Sequence, residues 1–101
     1  MMPIRDEDTN VSWFVYLLRC RDNTLYTGIT NDLERRVKQH QSGNASRYTR
    51  SRLPVVLVYH ERQANRSLAL KRELAIKRLA RYEKDSLVQS AEPIAQRVKT
   101  I

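Results

Sequence analysis

The chain is 101 residues long, enough for one domain with a modest core. Its 19 lysines and arginines outnumber 11 aspartates and glutamates, and the net charge of +8 suits a polyanionic partner, either nucleic acid or an anionic membrane surface. No apolar run approaches the roughly 20 residues of a membrane span, and the single Cys20 rules out an internal disulfide and fits a reducing cytoplasm.

Residues 1–11 carry Asp6, Glu7 and Asp8 without periodicity and read as a flexible leader, not a signal peptide. Phe14 to Cys20 and Leu25 to Ile29 are rich in aromatic and β-branched residues, and Arg21-Asp22-Asn23 between them has turn chemistry, so the stretch predicts a β-hairpin. A three-residue loop with Asn23 in the left-handed position pairs Leu18 with Tyr26 and Tyr16 with Gly28. Tyr16 and Tyr26 then share one face of the sheet, beside a shallow depression at Gly28.

Asn31 is the expected N-cap of a helix over about 31–42, with Glu34 reaching back to the cap and Gly43 as the C′ residue. Leu33, Arg36, Val37 and His40 fall on one face, which carries Arg36 and His40 to the rim of the contact with the sheet. Residues 44–53 read as a loop bearing Arg47, Tyr48, Arg50 and Arg52. Pro54 opens a strand from Val55 to His60, whose unbroken apolar run predicts burial on both faces. Asn65 or Ser67 caps a longer helix to about Ala80, in which Ala69, Glu73, Ile76 and Ala80 align and turn Glu73 into an apolar arc. Tyr82 to Val88 is a candidate short helix. The expected domain covers 12–89, with 90–101 a tail or a loosely packed extra helix.

Tyr16 in Phe-Val-Tyr, followed by Tyr26-Thr27-Gly28, resembles the paired signature of the GIY-YIG nuclease superfamily. The first triplet keeps only the tyrosine of Gly-Ile-Tyr, and the second departs at its middle residue. The segments that follow also resemble the small stand-alone bacterial branch of the superfamily in their order. They are Asp32 to His40, then Arg47-Tyr48-Thr49-Arg50, Pro54 to Tyr59, and Ala69 to Glu73 with Ile76-Lys77. The match runs over roughly residues 13–88. It implies a compact α+β domain, a small three-stranded antiparallel sheet flanked by helices in the order β-β-α-β-α-α. It also implies a metal-dependent endonuclease that hydrolyses phosphodiester bonds in nucleic acid, with DNA ahead of RNA.

The resemblance assigns the catalytic set to Tyr16, Tyr26, Arg36, His40 and Glu73. Tyr26 would help activate water and Tyr16 orient it. A free phenol, with a pKa near 10, needs neighbouring cations to serve as a base. Arg36 would fork onto phosphate oxygens, and Glu73 would hold Mg2+, or Mn2+, with few other protein ligands. Each residue also has a plainer role. The tyrosines suit any half-buried sheet, His40 an ordinary edge position, and Glu73 an i, i+4 ion pair with Lys77. Arg35, Arg47, Tyr48, Arg50, Arg52 and Lys77 form the expected nucleic-acid footprint, with Tyr48 available for base stacking. Two histidines and one cysteine leave no structural zinc site. Larger relatives carry an asparagine after the metal glutamate, and none follows Asn65 here. The competing readings are a nucleic-acid-binding module with weak or absent catalysis and, less well matched to the sequence, an anionic-membrane binder.

Overall fold

Trp13–Arg19 forms strand β1 and Leu25–Thr30 forms β2, joined by the turn at residues 21–23 in a computed structural model that describes residues 12–90. The leader expected over 1–11, and all of the expected tail except Ser90, lie outside the described residues. Asn23 takes φ 70°, Cys20 N–H donates to the Thr24 carbonyl at 2.9 Å, and Asn23 N–H donates to the Cys20 carbonyl at 2.8 Å. Asp22 Oδ1 accepts from the Thr24 amide at 3.1 Å and from its hydroxyl at 2.6 Å. The loop therefore has three residues, and the register places Tyr16 opposite Gly28 and Leu18 opposite Tyr26, as the parity predicts.

Helix α1 (Leu33–Gln41) begins one residue later than expected. Asp32, not Asn31, is the N-cap and accepts from Arg35 N–H at 3.2 Å. The shift follows from Thr30, whose hydroxyl oxygen accepts from Asp32 N–H at 3.0 Å and sets the cap residue. Glu34 pairs with Lys38 and does not reach back to the cap. Gly43 closes the helix at φ 83°. The expected loop then contains one helical turn, α2 (Arg47–Arg50), because Ser46 caps it through Thr49 N–H at 3.1 Å.

Strand β3 (Val56–Gln63) pairs antiparallel with β1, giving the order β2-β1-β3 with an irregularity between Leu17 and Leu18. The prediction that this third strand is buried on both faces is wrong. It is an edge strand, Val56 is 51% exposed, and Leu57, Val58 and Tyr59 are only half-buried. The doubly buried strand is β1, which has helices on both sides. Val15 and Leu17 meet Ala69 and Ile76 of α3 (Arg66–Lys77), with Leu87 and Val88 of α4 (Arg81–Ser90) beside them. Tyr16, Leu18 and Cys20 face the other way, toward Val55, Leu33 and Val37. Burying each such aliphatic side chain contributes about 1.5–3 kcal/mol.

Asn65 caps α3 by accepting from Leu68 N–H at 2.9 Å. The helix ends at Lys77, short of Ala80, which is exposed and precedes α4. There Glu83 Oε1 accepts from Ala80 N–H at 2.8 Å and caps the last helix. The architecture is thus α+β with a three-stranded antiparallel sheet in the expected element order, plus the extra turn α2. Among the described residues no helix is long and apolar enough to cross a membrane.

Candidate active site

The site starts from a close approach within the hairpin. A Cβ placed on Gly28 would lie 2.5 Å from the Tyr16 hydroxyl and 2.6 Å from its Cζ, so the phenol lies across the glycine. The depression expected at Gly28 is therefore filled by Tyr16 itself, which is only 2% exposed. His40 comes from the last turn of α1 and lies deeper than the expected rim, at 1% exposed. Both ring nitrogens are satisfied there. Nε2 lies 2.8 Å from the Tyr16 hydroxyl, and Nδ1 lies 2.8 Å from Thr49 Oγ1. Thr49 Oγ1 is in turn 2.9 Å from Ser46 Oγ. This line of four buried or part-buried groups runs from the hairpin through α1 to α2.

Burial lowers the His40 pKa from 6.5 to about 4, and the Arg36 charge adds to the effect, so the imidazole is neutral at physiological pH. Burial pushes the Tyr16 phenol well above its ordinary value. Tyr26 and Glu73 push the same way, and Arg36 opposes them. These influences bring Tyr26, Arg36 and Glu73 to bear on one hydroxyl group.

Arg36 is half-buried while Arg35 is exposed, in line with the helical face that separates them. Glu73 sits between buried Ala69 and Ile76 on α3, with its side chain 19% exposed, and its carboxylate lies 3.2 Å from Lys77 Nζ. The helical ion pair and the inward position are therefore both present. Among the described residues no group of three or more His, Cys, Asp or Glu side chains is placed to share a metal ion.

Next to Tyr16 an aromatic tier leads outward. The Tyr26 ring lies 5.1 Å from that of His40 and stacks on Tyr48 at 5.9 Å with an angle of 26°. The Arg52 guanidinium lies 3.7 Å from the Tyr48 ring centre. Arg52 also donates to Asp22 at 3.0 Å and to the Tyr48 carbonyl at 3.0 Å. Arg52 thus ties α2 to the hairpin turn, and Tyr48, with Tyr26 and Arg52 against its ring, is 36% exposed. Arg47 and Arg50 are exposed on α2.

The residue that sequence reasoning missed is Thr49, which is fully buried. Ser46 is a favoured N-cap residue, and that signal could have revealed α2. Nothing local announces its bond to a histidine nine positions earlier.

The hairpin carries paired tyrosines, the first helix an arginine and a histidine one turn apart, and a later helix a glutamate, all around one three-stranded antiparallel sheet. The model of the GIY-YIG catalytic domain matches residues 12–85, and the chain belongs to that family. It is similar to UPF0213 protein DP2720 of Desulfotalea psychrophila, at 51% identity over 89 residues, 87% of this chain and 81% of that one. It also resembles UPF0213 protein YhbQ of Escherichia coli O127:H6, at 42% identity over 89 residues, 88% of this chain and 89% of that one. The solution structure of UPF0213 protein BH0048 from Bacillus halodurans shares the fold with a TM-score of 0.57 and 34% identity, covering 89% of this chain and 96% of that one. These relatives carry little beyond this domain, and the family as a whole points to endonuclease chemistry.

Proposed function

We propose that this chain is a divalent-metal-dependent endonuclease that hydrolyses phosphodiester bonds in nucleic acid, with DNA ahead of RNA, in the cytoplasm. One observation carries the reading. Tyr16 and Tyr26 share one face of the hairpin around His40, whose Nε2 lies 2.8 Å from the Tyr16 hydroxyl and whose ring lies 5.1 Å from that of Tyr26. Phosphodiester hydrolysis needs a proton acceptor for water, positive charge for the phosphate, and a hard metal ion.

Tyr26 is half-buried and is assigned to water activation. Tyr16 is sealed in and orients the site. The shifts on Tyr16 and His40 oppose proton transfer from phenol to imidazole, so the pair acts as a neutral hydrogen-bonded support. Arg36 meets the phosphate with a forked guanidinium. Arg47 and Arg50 are the outward phosphate contacts, joined by Arg35 and Lys77, while Arg52 acts through Tyr48. A carboxylate oxygen is the hard donor that Mg2+ and Mn2+ prefer, and magnesium keeps several waters, so Glu73 alone fits as its protein ligand. When bound, such an ion supplies positive charge at the scissile phosphate.

The second reading, a binding module with little catalysis, is favoured by the Lys77 ammonium 3.2 Å from the Glu73 carboxylate, which competes with a metal. A cleavage assay over single-stranded, duplex and branched DNA and RNA, with Mg2+, Mn2+ or EDTA, tests the proposal. The expected result is metal-dependent cleavage that is lost in Glu73→Gln while nucleic-acid binding persists. Salt-sensitive binding without cleavage under any metal supports the second reading instead.

A further inference from the structure

We infer that Thr49 is a positioning residue for the tyrosine site. Through His40 it fixes which imidazole nitrogen carries the proton, so that Tyr16 donates to His40 and keeps its own oxygen lone pairs open. The inference rests on the nuclease reading for its catalytic meaning, but the proton arrangement stands independently of it.

A neutral imidazole carries one N–H, and the two bonds to His40 allow two arrangements. In the first, Nδ1–H donates to Thr49 Oγ1 at 2.8 Å, the Thr49 hydroxyl donates onward to Ser46 Oγ at 2.9 Å, and the Tyr16 O–H donates to Nε2 at 2.8 Å. The imidazole, threonine and phenol protons then each have an acceptor. In the second, the Thr49 hydroxyl donates to Nδ1 and Nε2–H donates to the Tyr16 oxygen. The phenol proton must then find another acceptor, and among the described residues Tyr16 bonds only to His40. Leaving that O–H unpaired in a site 2% exposed favours the first arrangement by about tenfold or more.

The far end accommodates this direction. Ser46 Oγ caps α2 by accepting from the Thr49 backbone N–H at 3.1 Å, and the Ser46 carbonyl lies 3.4 Å from Thr49 Oγ1, so the Thr49 hydroxyl proton has two acceptors within reach. Thr49 is fully buried, so no other hydroxyl replaces it. The hydroxyl sets the tautomer as an outer-layer partner does for a working histidine.

The test is 15N NMR of the His40 imidazole in the full chain at pH 7, alongside cleavage kinetics. The wild-type protein is expected to show the Nδ1–H tautomer. Thr49→Val leaves one donor unpaired in either arrangement, so the Nδ1–H excess should fall toward parity, and Thr49→Ser should restore it. In cleavage, Thr49→Val should lower kcat about twofold or more with KM nearly unchanged, and the serine variant should recover it. An Nε2–H wild type overturns the inference, as does a valine variant that keeps the full wild-type Nδ1–H excess. A shifted tautomer ratio with no change in kcat overturns the positioning role. If Thr49→Val does not fold, the wild-type and serine spectra still decide the proton arrangement. If no protein cleaves any substrate, the nuclease reading and the positioning role fall together, while the tautomer is still read from the spectra.

Discussion

On the side of the sheet covered by α3 and α4, β1 turns Val15 and Leu17 onto Ala69 and Ile76. On the side covered by α1 and α2, the same strand turns Tyr16 onto His40 and Leu18 onto an apolar floor. The first side is held by contact area, which is non-directional and indifferent to protonation. The second contains a line of hydrogen bonds that favours one proton arrangement, in a place too dry for water to repair an error. One strand thus separates cohesion from chemistry by alternation alone, and damage to each side should have a different signature.

The largest expected loss comes from the apolar side. Leu17→Ala should cost about 2–5 kcal/mol in urea denaturation, through lost transfer energy and a cavity. The His40 tautomer should be unchanged, and a variant that alters both would break the separation.

The polar side should show itself in pH dependence. Burial and Arg36 hold the His40 pKa at about 4 in the folded protein, against 6.5 unfolded. The folded state therefore binds this proton less readily, and the contribution is complete above pH 6.5. It is lost as pH falls from 6.5 toward 4, and the difference, 6.5 − 4, converts to roughly 3 kcal/mol. His40→Gln should flatten that part of the stability profile, and Leu17→Ala should keep its slope. Denaturation midpoints at pH 7.5, 5.5 and 4.5 measure both.

Gly28→Ala should cost about 1–3 kcal/mol, because the added methyl displaces the Tyr16 ring. Its sharper effect should be loss of the Tyr16–His40 bond, seen as a change in the imidazole 15N shifts. A melting temperature and spectrum equal to wild type would remove the close approach as a constraint. The smallest effect belongs to Glu34→Ala, outside both sides. Its pair with Lys38 is 3.6 Å long, with side chains 83% and 73% exposed, so the change should stay within about 0.5 kcal/mol.

The hairpin was fully legible in sequence, because loop length and the left-handed Asn23 determine register without outside help. The helical face joining Leu33, Val37 and His40 was legible for the same reason, a period within one element. What failed depended on neighbours. The run Val55 to Tyr59 looks doubly buried, but periodicity cannot tell a central strand from an edge one. The α1 cap moved to Asp32 because the hydroxyl of Thr30 intervened. Ala80 continued the spacing of Ala69, Glu73 and Ile76, yet α3 had already ended at Lys77. His40 was expected at a rim and is buried because Thr49, in a helix too short to show a period, meets its far nitrogen.

The contact between Tyr16 and Gly28 also restricts how this sequence can drift. While position 16 is a tyrosine, any side chain at 28 collides with its hydroxyl and ring. Residue 16 must shrink first, and only then can residue 28 grow, so the two changes have a forced order. In a lineage that abandoned the phenol, position 28 would be released to vary. A double-mutant cycle should show the same dependence: Gly28→Ala should cost far less in a Tyr16→Leu background than alone. A residue larger than glycine at 28 in a descendant then records that its ancestors gave up the tyrosine.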